Sequence, residues 1–117
     1  MAKILIAEDV PEIRFAYEAI LVAAGYDVKS VHCGERALEI LEKEEFDLLL
    51  TDILMPEGDG VFLTSKLCGH INRPKILVVT GGGDRISAHQ ALSLSEGFFD
   101  DSLIKPVKKE LLLCKIN

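Results

Sequence analysis

Three carboxylates, a hydroxyl and an ammonium group in this chain stand at the ends of apolar segments. Glu8, Asp9 and Asp52 each follow such a segment, and Thr80 and Lys105 stand at the ends of two more. Carboxylates supply the hard oxygen ligands that Mg2+ prefers, often together with phosphate oxygens. A lysine and a hydroxyl can hold the remaining oxygens of a transferring phosphoryl group. These residue types therefore predict phosphoryl transfer assisted by Mg2+.

Asp52 is the predicted nucleophile, because it alone follows the central apolar run of the chain. A carboxylate can attack phosphorus and form an aspartyl-phosphate. The simplest alternative is that each acid caps a helix or forms a turn, which is the usual role of a single Asp after a strand. Crowded carboxylates, however, repel one another unless a counter-charge is present. Lys105 and a divalent cation are the two counter-charges that the sequence suggests.

The surrounding elements are predicted to bring these residues together. Five segments have the composition of strands, the second of them at an edge of the sheet: Lys3–Ala7, Asp27–Val31, Phe46–Thr51, Lys75–Thr80 and Ser102–Ile104. Five helical patterns alternate with them, over residues 11–24, 35–43, 61–67, 85–95 and 108–116. Strands that alternate with helices predict a parallel sheet covered on both faces. Ligands of such sheets bind at the carboxyl ends of the strands, where the candidate residues fall.

The first helix and the loop after Asp52 have the clearest local patterns. Pro11 suits the first turn of a helix, and Gly25 suits its end. The apolar residues between them fall on one helical face, at Ile13, Ala16, Tyr17, Ile20, Leu21 and Ala24. The loop Ile53–Gly60 contains Pro and Gly residues that permit a tight path. We expect this loop to wrap the site while leaving the Asp52 carboxylate accessible to water.

The composition predicts a single folded domain and excludes several classes of protein. The chain has 117 residues, of which 49% are hydrophobic, and it contains no low-complexity tract. Its net charge of −6 and its lack of a basic stripe argue against nucleic-acid binding. No segment has the length of a signal-peptide core or a membrane span. Its three cysteines lack metal or disulfide spacing, so free thiols in the cytoplasm are expected.

The ordered set of motifs resembles the receiver domain of two-component response regulators over essentially the whole chain. The residues that carry this resemblance are Glu8-Asp9, Asp52, Met55-Pro56, Gly60, Thr80-Gly81 and Lys105-Pro106. The resemblance implies a flavodoxin-like α/β fold with a doubly wound, five-stranded parallel sheet in the order 2-1-3-4-5. It also implies that Asp52 accepts a phosphoryl group from a sensor histidine kinase or histidine phosphotransfer protein.

The resemblance further assigns roles around the phosphoacceptor. Mg2+, or Mn2+ in its place, would be held by Glu8, Asp9, Asp52 and the backbone carbonyl of Leu54, while Thr80 and Lys105 would contact the phosphoryl group. Three features depart from the common pattern. The first is the Gly81-Gly82-Gly83 run, and the second is Ser102 at a position that is often aromatic. The third is that neither Leu54 nor Gly82 has a side chain that could hydrogen-bond an attacking water. These features predict a loop that becomes ordered on phosphorylation, an altered output face and slow self-dephosphorylation.

Several readings of function remain open from the sequence. The first is a phosphoacceptor that is not an enzyme and that consists of one receiver domain without an output domain. Such a protein would act on an unknown downstream protein or pass its phosphoryl group onward to another histidine. A second is a degenerate receiver that binds partners without phosphorylation. A third is a Mg2+-dependent phosphatase with an aspartyl nucleophile, but such an enzyme would carry a second Asp where this chain has Leu54. The chain could also be a segment of a longer regulator.

Overall fold

A five-stranded parallel sheet forms the centre of the computed structural model, which describes residues 2–52, 74–80, 101–104 and 107–116. Its strands are β1 Lys3–Ala7, β2 Asp27–Val31, β3 Leu48–Asp52, β4 Lys75–Thr80 and β5 Asp101–Ile104. The described helices are α1 Pro11–Ala23, α2 Gly34–Lys43 and α3 Lys109–Ile116. The third and fourth predicted helices lie outside the described residues.

The strand order is β2-β1-β3-β4-β5, which confirms the predicted flavodoxin-like arrangement and places β2 at an edge. All four strand pairings are parallel. The carboxyl ends of the strands therefore share one edge of the sheet, and the reversal of strand order beside β1 lies at that edge. The central position of β3 explains its run of three leucines, Leu48–Leu50, since a strand covered on both faces needs apolar residues on both.

Two apolar layers cover the two faces of the sheet. One layer joins alternate strand residues to α1 and α3, and its buried members are Ile4, Ile6, Tyr17, Leu21, Leu48, Leu50, Leu77, Val79, Leu103 and Leu112. The other layer joins the remaining strand residues to α2, through Leu5, Ala7, Ala37, Phe46, Leu49, Ile76 and Val78. This division follows from the strand period of two, which sends neighbouring side chains to opposite faces.

Helix α1 ends at a glycine, as the sequence predicts. Gly25 has a φ of 97°, in the left-handed region that glycine adopts without steric cost. The amide of Gly25 donates to the carbonyl of Val22, and the amide of Tyr26 donates to that of Leu21, at 3.0 and 3.1 Å. This pair of hydrogen bonds is the Schellman arrangement, which satisfies carbonyls that the helix itself leaves free.

The predicted apolar face of α1 is only partly buried. Tyr17 and Leu21 are buried in the core, and Ile13 and Ile20 pack against it. Ala16 and Ala24, predicted on the same face, are exposed instead. Helical periodicity shows which side of the helix faces the core. How many residues on that side are buried depends on how closely the helix approaches the sheet, and the periodicity does not determine this distance.

The predicted bounds of β1, β2 and β4 match the structure, whereas β3 is shifted towards the carboxyl end. The predicted strand Phe46–Thr51 is in fact Leu48–Asp52. Asp47 precedes the ladder and instead exchanges hydrogen bonds with Lys3: its amide donates to the Lys3 carbonyl at 2.8 Å, and its carboxylate accepts from the Lys3 amide at 2.7 Å. Asp52 pairs with Val79, so the acidic residue is itself the last residue of the strand.

A small ionic cluster lies near the amino-terminal end of β1. The carboxylate of Glu44 pairs with the ammonium groups of Lys3 and Lys29, the latter at 2.7 Å. The Lys3 ammonium also lies 4.9 Å from the centre of the Phe46 ring. Hydrogen bonds from Lys29 and then from Lys3 lower the pKa of the Glu44 carboxyl below its ordinary value of 4.5.

Two further sequence-based expectations concern the cysteines and membrane-spanning segments. Within the described ranges, Cys33 and Cys114 are free thiols, as the spacing of the cysteines predicts, and Cys33 is buried. None of the three described helices has the length and hydropathy needed to cross a membrane.

Candidate functional site

Strand pairing brings Glu8 and Asp52 side by side at the carboxyl end of the sheet. Strands β1 and β3 are neighbours, and their register places Ala7 opposite Thr51. Glu8 and Asp52 are the next residues along the chain after this pair. Both continue the alternation of Ile6 and Leu50, so both belong to the face covered by α1.

The two acids form a cluster with Asp9. Carboxylate oxygens of Glu8, Asp9 and Asp52 all lie within 4.8 Å of one another. Glu8 is 1% exposed and Asp52 is 7% exposed, while Asp9 is half-buried. Asp52 is therefore more enclosed than the sequence predicts. Its carboxylate stands at the rim of the sheet, but other parts of the protein cover most of its surface.

The segment that carries Glu8 and Asp9 is held on both sides of its main chain. The Glu8 amide donates to the carbonyl of Val31 in the neighbouring strand at 3.1 Å. The Glu8 carbonyl accepts a hydrogen bond from Nη1 of Arg14 at 2.9 Å. The Asp9 amide donates to Oε2 of Glu8 at 3.1 Å, which links the second acid to the first. Strand β2, helix α1 and the side chain of Glu8 thus fix this turn together.

The charges of this cluster favour a divalent cation. Two ionised carboxylates no more than 4.8 Å apart repel each other by at least about 3 kcal/mol at an effective dielectric constant of about 20. A cation bound between the three carboxylates would replace this repulsion by attraction. Three carboxylate oxygens within 4.8 Å of one another also match the ligands that Mg2+ accepts, with water or phosphate in the remaining positions. The donor set therefore fits the predicted metal.

The structure brings three of the predicted site residues together and describes the others only in part. Glu8, Asp9 and Asp52 converge as predicted. The backbone of Thr80 ends β4, one residue beyond the pairing of Val79 with Asp52, so Thr80 belongs to the same edge of the sheet. Leu54, Lys105 and the Gly81-Gly82-Gly83 run lie outside the described residues. The backbone of Ser102 lies in β5.

Sequence reasoning did not identify Arg14 and Val31 as parts of the site. Arg14 follows Glu8 by six positions and lies in the first turns of α1. A basic residue at that distance from an acidic turn is compatible with many roles, so the pattern alone indicates none of them. Val31 contributes only its carbonyl, and a backbone contact of this kind leaves no signal in the residue type.

Comparison with known proteins relates the whole chain to one family. The response regulator receiver domain family matches residues 4–117. The response regulator receiver protein CpdR of Brucella abortus is 36% identical over 118 residues, which cover 96% of this chain and 98% of that protein. The transcriptional regulatory protein CpxR of Escherichia coli K12 is 31% identical over the full chain, but this chain spans only 48% of CpxR.

Solved structures have the same fold. A CheY-like response regulator receiver domain protein from Methanospirillum hungatei superposes with a TM-score of 0.88 and 30% identity, over 99% of this chain and 90% of that one. The response regulator TrrA of Thermotoga maritima, crystallised with Mg2+ and BeF, superposes with a TM-score of 0.85 and 27% identity, over 99% and 96% of the two chains.

Proposed function

Because the chain belongs to the response regulator receiver domain family, we propose that Asp52 is its phosphoacceptor and that Glu8, Asp9 and Asp52 hold Mg2+ beside it. The observation that carries this proposal is the convergence of the three carboxylates within 4.8 Å at the carboxyl end of the sheet. Domains of this family are generally phosphoacceptors rather than classical enzymes, so the proposed role is that of a switch in two-component signal transduction.

The position of Asp52 supports its assignment as the acceptor. Asp52 ends the central strand, with Glu8 directly after the end of β1 and the backbone of Thr80 at the end of β4. Glu8 is almost fully buried and lies just after a strand, whereas Asp52 is the last residue of a strand and its backbone pairs with Val79. Of the three carboxylates, Asp52 is therefore the one whose backbone is held in a paired strand. It also lies between Glu8 and Thr80, the residues at the ends of the two neighbouring strands.

In the proposed reaction, a carboxylate oxygen of Asp52 attacks the phosphorus of a phosphohistidine on a sensor kinase or phosphotransfer protein. A P–O bond forms as the P–N bond breaks, and the electron pair of the P–N bond stays on the imidazole nitrogen. Mg2+, when bound, would neutralise charge on the phosphoryl oxygens. Thr80 and Lys105 are proposed to contact these oxygens, and the carbonyl of Leu54 is proposed to complete the metal site.

The proposed consequence is a change in protein–protein contacts. Phosphorylation adds about −1.5 to −2 charges at one point, which can shift an element between two arrangements. We propose that the chain acts in the cytoplasm as one receiver domain, whose partners are the phosphodonor and a downstream protein rather than nucleic acid or a membrane. The downstream activity of a longer relative such as CpxR does not follow from similarity over 48% of its length.

Intact-mass analysis after incubation with acetyl phosphate and Mg2+ tests the phosphoacceptor. The wild-type chain should gain one phosphoryl group, and this adduct should be absent in Asp52→Asn and after removal of the metal with EDTA. Asp27→Asn is a suitable control, because Asp27 is an exposed acid at the opposite end of the sheet. This variant should be phosphorylated as the wild type is.

A beryllofluoride titration separates the remaining outcomes. If no adduct forms but beryllofluoride binds the wild type and not Asp52→Asn in the presence of Mg2+, the phosphorylated form is too short-lived to collect and Asp52 is still the acceptor. If neither an adduct nor beryllofluoride binding is observed, the proposal is wrong. The chain would then match a receiver that binds its partners without phosphorylation.

A further inference from the structure

The side chain of Arg14 reaches from helix α1 back to the turn that carries two of the three clustered carboxylates. Its Nη1 donates to the main-chain carbonyl of Glu8 at 2.9 Å, across six residues of sequence. The Arg14 guanidinium also lies 5.3 Å from the centre of the Phe15 ring, which is itself 59% exposed. The half-buried guanidinium thus has one defined polar contact in the described part of the chain, and this contact is with a residue of the candidate metal site.

The residues between Glu8 and helix α1 supply no capping side chain to this turn. Val10 is the N-cap residue of α1 and makes no side-chain capping hydrogen bond, and Pro11 has no amide hydrogen to donate. On the other side of the turn, Glu8 is held through its amide by Val31 at the edge strand. Arg14 therefore adds a hydrogen bond from the helix to the Glu8 carbonyl, and the Asp9 amide in turn donates to Oε2 of Glu8.

We propose that Arg14 is a positioning residue that holds Glu8 and Asp9 in the geometry needed to bind a divalent cation. This inference rests on the metal site proposed above. Groups that hydrogen-bond the residues around a metal orient its ligands, and their loss typically weakens metal binding by about 10–100-fold. Arg14 does this through the backbone, because the carbonyl that it contacts lies between the side chains of the two acids along the chain.

A purely electrostatic role for Arg14 would have the opposite effect. A guanidinium close to the cluster repels Mg2+, so removing its charge should strengthen metal binding. Removing a positioning hydrogen bond should weaken binding, even though a positive charge is lost at the same time. The sign of the change in Mg2+ affinity therefore separates the two roles.

The test is a calorimetric Mg2+ titration of the full chain as wild type, Arg14→Met and Arg14→Lys. Arg14→Met, which has neither the charge nor the donor, should bind Mg2+ about ten-fold more weakly than the wild type. Arg14→Lys keeps a charge and one donor, so its affinity should lie between the other two. Arg36→Met is the matched control, because Arg36 lies on α2 and its guanidinium pairs with Glu39 at 3.5 Å. This control should bind Mg2+ as the wild type does.

Each outcome decides the question. Equal or tighter binding of Mg2+ by Arg14→Met overturns the positioning role. Urea unfolding of the metal-free variants identifies a structural role: lower stability with unchanged Mg2+ affinity of the folded protein also overturns the proposal. If the wild type itself binds no Mg2+, the metal site of the proposed function is wrong, whereas wild-type binding with no effect of Arg14→Met contradicts only the inference about Arg14.

Discussion

Substitution of Asp9 by Asn should stabilise the metal-free protein and destroy most of its response to Mg2+. Asp9 contributes one of three carboxylates whose oxygens lie within 4.8 Å of one another. When all three are ionised, the Asp9 carboxylate would repel those of Glu8 and Asp52 by about 3 kcal/mol each at an effective dielectric constant of about 20. Solvent reaches the half-buried Asp9 and reduces this repulsion. We therefore expect the free energy of unfolding to rise by about 1–2 kcal/mol in Asp9→Asn without metal.

Addition of Mg2+ should reduce this difference. A metal that binds only the folded state at about 100 times its Kd stabilises the wild type by about 2.7 kcal/mol. If loss of the ligand raises the Kd about 50-fold, the variant gains only about 0.6 kcal/mol at the same concentration. The advantage of Asp9→Asn should therefore fall by about 2 kcal/mol and disappear or reverse.

Urea unfolding in EDTA and in MgCl2, at matched ionic strength, measures both values. Asp27→Asn serves as the control, because this exposed acid lies at the opposite end of the sheet. Its free energy of unfolding should stay within about 0.5 kcal/mol of wild type in both buffers. A variant at Asp9 that is less stable than wild type in EDTA, or a difference that Mg2+ does not change, would refute the idea of a charged metal site.

Three further predictions concern stability, and each can be measured by urea unfolding. Glu44→Gln should lower the free energy of unfolding at pH 7, because Lys29 and Lys3 depress the pKa of this carboxyl and stabilise its ionised form. The difference from wild type should vanish as the pH falls through that lowered pKa. A difference that persists at pH 2 would contradict this reasoning. Leu50→Ala removes a side chain that is 1% exposed in the central strand and should cost about 2–5 kcal/mol, so a cost below about 1 kcal/mol would show that the core collapses around it. Gly25→Ala should cost about 1–2 kcal/mol through its φ of 97° alone, since an added Cβ would meet no atom within 4 Å.

The bounds of several strands and of helix α1 could be predicted from the residues within each element, whereas the end of β3 depends on pairing with a distant strand. Continuous apolar runs predicted β1 and β4 correctly, because strands covered on both faces must be apolar throughout. Gly25 predicted the end of α1, because few other residues adopt its backbone conformation. The end of β3 was predicted one residue early, since a charged side chain ends an apolar pattern while the backbone of Asp52 continues to pair with Val79.

The sequence by itself therefore determined the five strands, the three described helices and the placement of acidic residues at strand ends. The resemblance of its motifs to receiver domains added the strand order and the roles of the site residues. Only the tertiary structure decided that Glu8, Asp9 and Asp52 lie within 4.8 Å of one another, because this distance depends on the register of strands that are far apart in the chain. Only the tertiary structure shows that Arg14 contacts the Glu8 carbonyl, since a hydrogen bond to the backbone leaves no trace in residue types.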